Sequence, residues 1–573
     1  MYIIPIPQKI SIDEQSVKLS TFALKTDNEI IKKFASDFDK NGDFPIDFSQ
    51  VKNDNPEYYT LSVNDNGISI KYVTDEGAFR AFTTLKQIIN QAENNEIKKL
   101  EIEDFPSIKN RGYMLDISRG KIPNYSELVR LVDYMADLKY NQLQLYLDSF
   151  AIEYKNFPEY TKDTMPITKE ELMSLKEYCK SRFITMIPNQ NSLGHMAAWT
   201  AKPELSHLAI SNAEGKPSQT LNPLLPESLE LVDKIYDGYF DSFEAPFANI
   251  GMDEPIDLGK FETKEECEKR GVGEVYTGYL KKVCELVTKK YNKTPMFWDD
   301  IIFKHPEQIK NVPKNAIVMQ WGYEQEHHFD RNCRTLRDSG LKFYVCPGSS
   351  GWGSITGRSD NALFNITSAA ECGAYYGAEG FLLTEWGDDG NSQFNSITYI
   401  PLAIGGAASW NCMSHDTEKA HETRKDLLQA AKDYVNDNIF KAKGTEFAEL
   451  VYRMGKYYTV EENFRFNGTD LYHFSKVTEC LRERHKPLYV YVYNYMAELR
   501  ERIAKIDADE LCKKEVLLDC DMVLALCRAI SHPHDEENNK NIDRLCDDFR
   551  ELWKERNHPV GYDIWPAIMQ TRK

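Results

Sequence analysis

Hydrophobic positions near the start of the chain recur with two different periods. In YYTLSVNDNGISIKYV, residues 58–73, apolar and polar residues alternate on both sides of Asn-Asp-Asn-Gly, which predicts two strands joined by a tight turn. EGAFRAFTTLKQIINQA, residues 76–92, spaces its apolar residues as a helix does and is expected to pack across that hairpin. Residues 1–105 therefore read as a small α+β accessory domain, closed by the acidic, turn-rich EIEDFPSIKN.

The pattern then changes. Near-continuous apolar runs alternate with helical ones: RGYMLDI (111–117), NQLQLYL (141–147), FITMIP (183–188), FANIGM (247–252), TPMFW (294–298), AIVMQW (316–321), KFYVC and GFLLTEW (380–386). SELVRLVDYMADL (126–138), KEELMSLKEYCKS (169–181) and PESLELVDKIYDGYF (226–240) are among the helices between them. Strands that are apolar throughout suit a parallel sheet covered on both faces. Eight such units over residues 106–414 predict an α/β fold, a (β/α)8 TIM barrel, rather than an open doubly wound sheet. No Gly-x-Gly-x-x-Gly follows the first strand, which weighs against a dinucleotide site. Beyond residue 415 helix formers dominate, so 415–573 is expected to be a helical C-terminal domain, with Tyr489, Tyr491, Tyr493 and Tyr495 packing in its core or at an interface.

Composition narrows the classes of function. A chain of 573 residues with 42% hydrophobic residues has the material for several packed domains. A net charge of −19 argues against nucleic acid or an anionic membrane as a partner, whereas a neutral carbohydrate is indifferent to it. No signal-peptide pattern opens the sequence and no run of about 18 apolar residues occurs. The twelve Cys are scattered, many in apolar or helical stretches such as those around Cys284, Cys346 and Cys527, which suits reduced thiols and a cytoplasmic location. Glycosylation patterns at Asn365 (NIT) and Asn467 (NGT) carry no weight without a secretory signal. Nothing fixes the oligomeric state, and a homodimer is one arrangement open to the chain.

A barrel of this kind does its chemistry at the C-terminal ends of its strands. The first strand carries Arg111 at its start, then Asp116 and Arg119, and the second ends in Asp148. The third leads into NQNSLGHM with His195, and the fourth into Asp253-Glu254. The fifth ends in Trp298-Asp299-Asp300, the sixth in Gln320-Trp321, the seventh in PGSSGW with Trp352, and the eighth in Glu385-Trp386-Gly387-Asp388. An adjacent acidic pair is weak evidence alone, since a chain with 89 acidic residues holds roughly 14 by chance. Four of the eight Trp at one end of a barrel are more informative, because a barrel interior favours Val, Ile and Leu. Aromatic walls with carboxylates between them suit a sugar, and favour a glycosidase.

A metal is not expected. A zinc hydrolase barrel would want His-x-His on a strand, and the only His-x-His is His532-Pro533-His534 in a charged C-terminal stretch. A Gly-x-Ser-x-Gly elbow is also lacking. No cofactor is predicted.

These strand-end residues resemble those of the family 20 glycoside hydrolases, the β-N-acetylhexosaminidases. RGYMLDISR resembles that family's Arg-Gly-x-x-x-Asp-x-x-Arg strand, SLGHM its Pro-Gly-His turn, NIGMDE its His-x-Gly-Gly-Asp-Glu element, and FWDD, QWG and TEWGD its fifth, sixth and eighth strand ends. The similarity extends over residues 1 to about 412. It implies an exo-acting enzyme that removes terminal N-acetylglucosamine or N-acetylgalactosamine by a substrate-assisted retaining mechanism. Glu254 would be the acid/base and Asp253 the partner of the acetamido group. Asp148 and His195 would form a relay tuning Glu254. Arg111 and Asp388 would bind ring hydroxyls, and Trp298, Trp321, Trp352 and Trp386 would wall the pocket. A retaining glycosidase with a separate nucleophile, Asp300 or Glu385, and a non-catalytic carbohydrate-binding barrel are the alternatives.

The sequence also leaves that pattern. Asn249 stands where the family has His, Met252 replaces its second Gly, and QLQLYLD lacks a His-Trp-His. On the seventh strand Pro347 is followed by Gly348 and Ser349, so the Tyr expected to bind the acetamido oxygen is missing from its place, and Tyr323 or a loop residue would have to supply it.

Overall fold

The computed structural model describes every residue except 163, 413–416, 462–464, 474–478, 533–534 and 572–573; Pro533 and His534 of the His-x-His thus lie outside the described residues. Residues 9–104 form a six-stranded mixed sheet with the predicted hairpin, Tyr59–Asn64 and Gly67–Tyr72, at its centre. The helix Asp75–Asn90 is capped by Thr74, whose hydroxyl accepts the Gly77 N–H. It serves two cores. Ala78, Phe82 and Leu85 pack on the sheet, while Phe79 meets Phe183 of the barrel with ring centroids 5.3 Å apart.

Eight parallel strands close into a barrel: β1 (Asn110–Asp116), β2 (Gln142–Leu147), β3 (Thr185–Gln190), β4 (Phe247–Asn249), β5 (Thr294–Trp298), β6 (Ile317–Trp321), β7 (Lys342–Cys346) and β8 (Gly380–Glu385). β8 pairs with β1, which completes the ring. β4 stops three residues earlier than its apolar run predicts, because Gly251 and Met252 take positive φ values of 67° and 76° and turn the chain out of the sheet. Inside the barrel the residues that break the family pattern find one another. Gln144 Oε1 accepts from Asn189 Nδ2 at 2.9 Å and from Asn249 Nδ2 at 3.1 Å.

After β8 the described chain is almost wholly helical, and its helices pack on the barrel through buried charge. Arg556 holds both carboxylate oxygens of Glu127 at 3.0 Å and reaches Glu515 Oε1 at 2.5 Å. Tyr489 is buried in the long helix Glu479–Ala504 but Tyr491 is exposed, since residues two apart on a helix face different ways.

Candidate active site

Two loops cross at the C-terminal end of the barrel, and glycines let them touch. A Cβ on Gly194 would stand 1.9 Å from Asp253 O, and one on Gly251 would stand 1.7 Å from Asn191 Oδ1. Asn191 Oδ1 instead accepts the Met252 N–H at 3.1 Å. His195, Met252 and Glu254 all sit at positive φ (52°, 76° and 45°), a conformation that costs a side-chain-bearing residue on the order of 1 kcal/mol or more. The crossing places His195 Nε2 3.3 Å from Asp253 Oδ2 and 3.3 Å from Glu254 Oε2. Asp253 is buried, and its other oxygen, Oδ1, has no partner among the described residues. The Glu254 side chain is 47% exposed, so a leaving group or a water can reach it. Behind the pair, Asp300 Oδ2 accepts the Glu254 N–H at 3.3 Å.

The charges are strongly coupled. Burial works against protonation of His195, but Asp253 and Glu254 outweigh it and push the imidazole up to about 10, so it is a cation at neutral pH. Burial, and then the negative charge of Asp253, push Asp300 up to about 7. Asp148 is raised by burial to about 6, with Arg119 opposing the shift.

Arg119 organises the opposite wall. It bonds Asp116, stands 3.3 Å from Asp388 Oδ1 and 3.6 Å from Asp148 Oδ2, and lies over the rings of Tyr146 and Trp386 at 5.1 and 5.2 Å. Trp298, Trp321, Trp386 and Tyr323 line the pocket between this cation and the acidic pair. Trp386 Nε1 donates to Tyr323 Oη at 2.8 Å, whereas Trp298 Nε1 and Trp321 Nε1 are buried without an acceptor among the described residues.

The structure brings together Asp253, Glu254, His195, Asp388, Trp298, Trp321 and Trp386. It does not bring Arg111. That residue begins β1 at the far end of the barrel, fully buried, where it forks onto Glu57 at 3.0 and 2.6 Å and donates to Lys139 O at 2.9 Å. The guanidinium that lines the pocket is Arg119, eight residues on. Trp352 is likewise not in the wall: it is buried behind Tyr323, edge to face at 5.1 Å, and acts on the pocket only by backing that ring. Asp148 contacts Arg119 and Tyr146 Oη; among the described residues no hydrogen bond joins it to His195, and it reaches the imidazole only as a nearby charge. Asp300 and Glu385 are buried and outside the residues lining the pocket, so neither is placed as a nucleophile. Tyr323 and Asn467 are lining residues that the sequence did not assign. Tyr323, two residues past β6, was open to the sequence only as one candidate for the missing Tyr, and Asn467 stood out there only as a glycosylation pattern, which says nothing of a pocket.

The family model for the glycosyl hydrolase family 20 catalytic domain matches residues 109–352, and that for domain 2 of the same family matches residues 1–105. A β-hexosaminidase subunit β from Entamoeba histolytica is 25% identical over 292 residues, 46% of this chain and 50% of that protein. The chain thus spans about half the length of such relatives. Among solved structures, an exo β-N-acetylglucosaminidase of Vibrio harveyi in complex with N-acetylglucosamine aligns with a TM-score of 0.56 and 19% identity over 75% of this chain and 78% of that one. A Flavobacterium johnsoniae chitobiase aligns with a TM-score of 0.59 and 17% identity over 99% of both chains.

Proposed function

Because this chain belongs to glycosyl hydrolase family 20, we propose that it is an exo-acting β-N-acetylhexosaminidase working by substrate-assisted retention. The observation that carries the reading is Asp253 Oδ1, a buried carboxylate oxygen without a partner among the described residues in a tryptophan-walled pocket, one residue from the exposed carboxylate Glu254. A buried acceptor of this kind calls for a donor from the ligand, and an acetamido N–H is one. The bound acetamido oxygen attacks the anomeric carbon. Glu254 gives its proton to the leaving oxygen and later removes one from the incoming water. Asp253 orients the N–H and offsets the positive charge of the oxazolinium-like intermediate.

Side-by-side carboxylates cannot serve as nucleophile and acid on opposite faces of one sugar, which favours the substrate's own amide as the nucleophile. Tyr323 takes the part of the missing seventh-strand Tyr: Trp386 occupies one lone pair of its hydroxyl, whose hydrogen can go to the acetamido oxygen. Arg119 and Asp388 bind ring hydroxyls from the other wall. The substrate is a neutral oligosaccharide or glycoconjugate glycan. Eleven thiols among the described residues, ten of them buried, support a reducing, cytoplasmic setting.

The test is the acetamido group. Aryl N-acetyl-β-glucosaminides should be cleaved and inhibited by a thiazoline mimic of the intermediate, and Glu254→Gln should lower turnover by orders of magnitude. Efficient cleavage of a plain β-glucoside would rule the mechanism out.

A further inference from the structure

β6 and β8 both deliver side chains to the pocket, Trp321 and Tyr323 from one and Trp386 and Asp388 from the other; β7, between them, delivers none among the described residues. The cause is local. A Cβ on Gly348 would stand 2.3 Å from the Trp352 ring and 2.9 Å from that of Tyr323, so those two rings already fill the space past the strand end. Into this sector comes Asn467, from the helical domain 81 positions after Trp386.

Its backbone is fixed from two sides. Glu324, just past β6, accepts the Asn467 N–H on Oε1 at 2.7 Å and Arg358 Nη1 on Oε2 at 2.7 Å. Gly353, just past β7, accepts the Thr469 N–H at 3.0 Å and lies so near that its own Cβ would be 2.3 Å from Asn467 O. Asn467 itself is left-handed, at φ 55°. Its Oδ1 is buried without a hydrogen-bond partner among the described residues. A buried amide oxygen is costly to leave unmet, and this one belongs to a residue that lines the pocket.

We propose that Asn467 binds a hydroxyl of the terminal sugar, so that the C-terminal helical domain completes the sugar site and sets part of its specificity. The inference rests on the hexosaminidase reading for the identity of the sugar. The chemistry points to a hydroxyl because a neutral carboxamide both donates and accepts, as a hydroxyl does; an anionic substituent would call for a cation there. The acetamido group is already served by Asp253 and Tyr323, which leaves the ring hydroxyls for Asn467.

The variant to use is Asn467→Gly, since glycine takes a positive φ without strain and the turn is kept. Wild type and variant are compared on an aryl N-acetyl-β-glucosaminide and on its 3-, 4- and 6-deoxy analogues. The parent's kcat/KM should fall about tenfold or more in the variant. One deoxy analogue should cost the wild type a similar factor and the variant nothing further. Gly353→Ala, which displaces Asn467 without altering its side chain, should reproduce that selective loss. A folded Asn467→Gly protein that keeps the wild-type penalty for every missing hydroxyl overturns the proposal. Calorimetric binding of N-acetylglucosamine reads the same contact without turnover and should weaken about tenfold in the variant. A wild type that binds this sugar but does not cleave the glycoside would defeat the catalytic reading, while the binding comparison still decides the role of Asn467.

Discussion

Trp386 donates its indole N–H to Tyr323 Oη across 2.8 Å, and so ties the end of the eighth barrel strand to the loop after the sixth. The tyrosine is held from behind by Trp352, with ring centroids 5.1 Å apart. Tyr323→Phe keeps the ring and the packing but removes the hydroxyl. Turnover of a nitrophenyl N-acetyl-β-glucosaminide should drop roughly 10- to 100-fold, as for loss of one donor to a developing charge, with stability lowered by only about 1 kcal/mol. Steady-state kinetics beside thermal melting separates the two; unchanged kcat would remove Tyr323 from the reaction.

His195 lies between Asp253 and Glu254 and titrates near 10. An unfolded histidine titrates near 6.5, so the folded state holds the extra proton between these values. The stability it contributes is fully present below about pH 6.5, declines above it and is gone beyond about pH 10. His195→Gln should therefore melt well below the wild type at pH 6 and converge with it in strong alkali. Parallel melting curves at every pH would show that the imidazolium contributes nothing to folding.

Asp300 has the opposite sign. Its folded carboxyl titrates near 7, above the ordinary value of 3.8, because of burial and the charge of Asp253. The folded state then binds more protons than the unfolded chain between these values, and stability falls as pH rises through that window. Asp300→Asn keeps an oxygen to accept the Glu254 N–H and removes the charge. It should gain stability relative to the wild type as pH goes from 5 to 8, measured by denaturant unfolding; a difference independent of pH would contradict the assignment.

Glu57 is the hinge between the accessory domain and the barrel. Burial would raise its carboxyl, but Arg111 and Arg80 hold it below the usual range. Removing it leaves the buried Arg111 without a carboxylate and Arg80 with Glu76 alone, so Glu57→Ala should cost about 3–5 kcal/mol. A carboxylate with a lowered pKa stabilises above its unfolded value and loses that effect as pH falls through its folded one, so the wild type and the variant should approach each other in acid. Activity per folded molecule should persist, because this cluster lies at the other end of the barrel from the pocket.

The barrel was legible because its strands are apolar runs of the right length and their ends carry the chemistry. Asp253-Glu254, His195 and three of the four tryptophans could be placed from that rule alone. Arg111 was misplaced by resemblance. In RGYMLDISR two arginines compete, and the first begins the strand while the second follows its end, about 16 Å further on at the rise of an extended chain. The rule that chemistry gathers at C-terminal strand ends already favoured Arg119. Trp352 follows a strand end too, but the turn after β7 carries it behind Tyr323, and no periodicity reports which way a loop folds back. The place of Asn467 in the pocket was invisible for a different reason: a contact across 81 residues of helix-rich sequence is set by how the helices dock, and helical spacing says only which face is apolar.

The pairing of Glu127 with Arg556 has a consequence in time. Every strand of the barrel, the acidic pair and the tryptophan wall leave the ribosome well before residue 556 does, and domains generally fold in the order they are made. Until then Glu127, buried in the finished protein, has only the half-exposed Arg130 of its own helix for a guanidinium, and the pocket lacks the wall that Asn467 supplies. The nascent barrel is short of Arg556 and of part of its pocket at once. The helical domain supplies both, so the barrel's strand ends and its buried charges are completed together, by a part of the chain made after all eight strands.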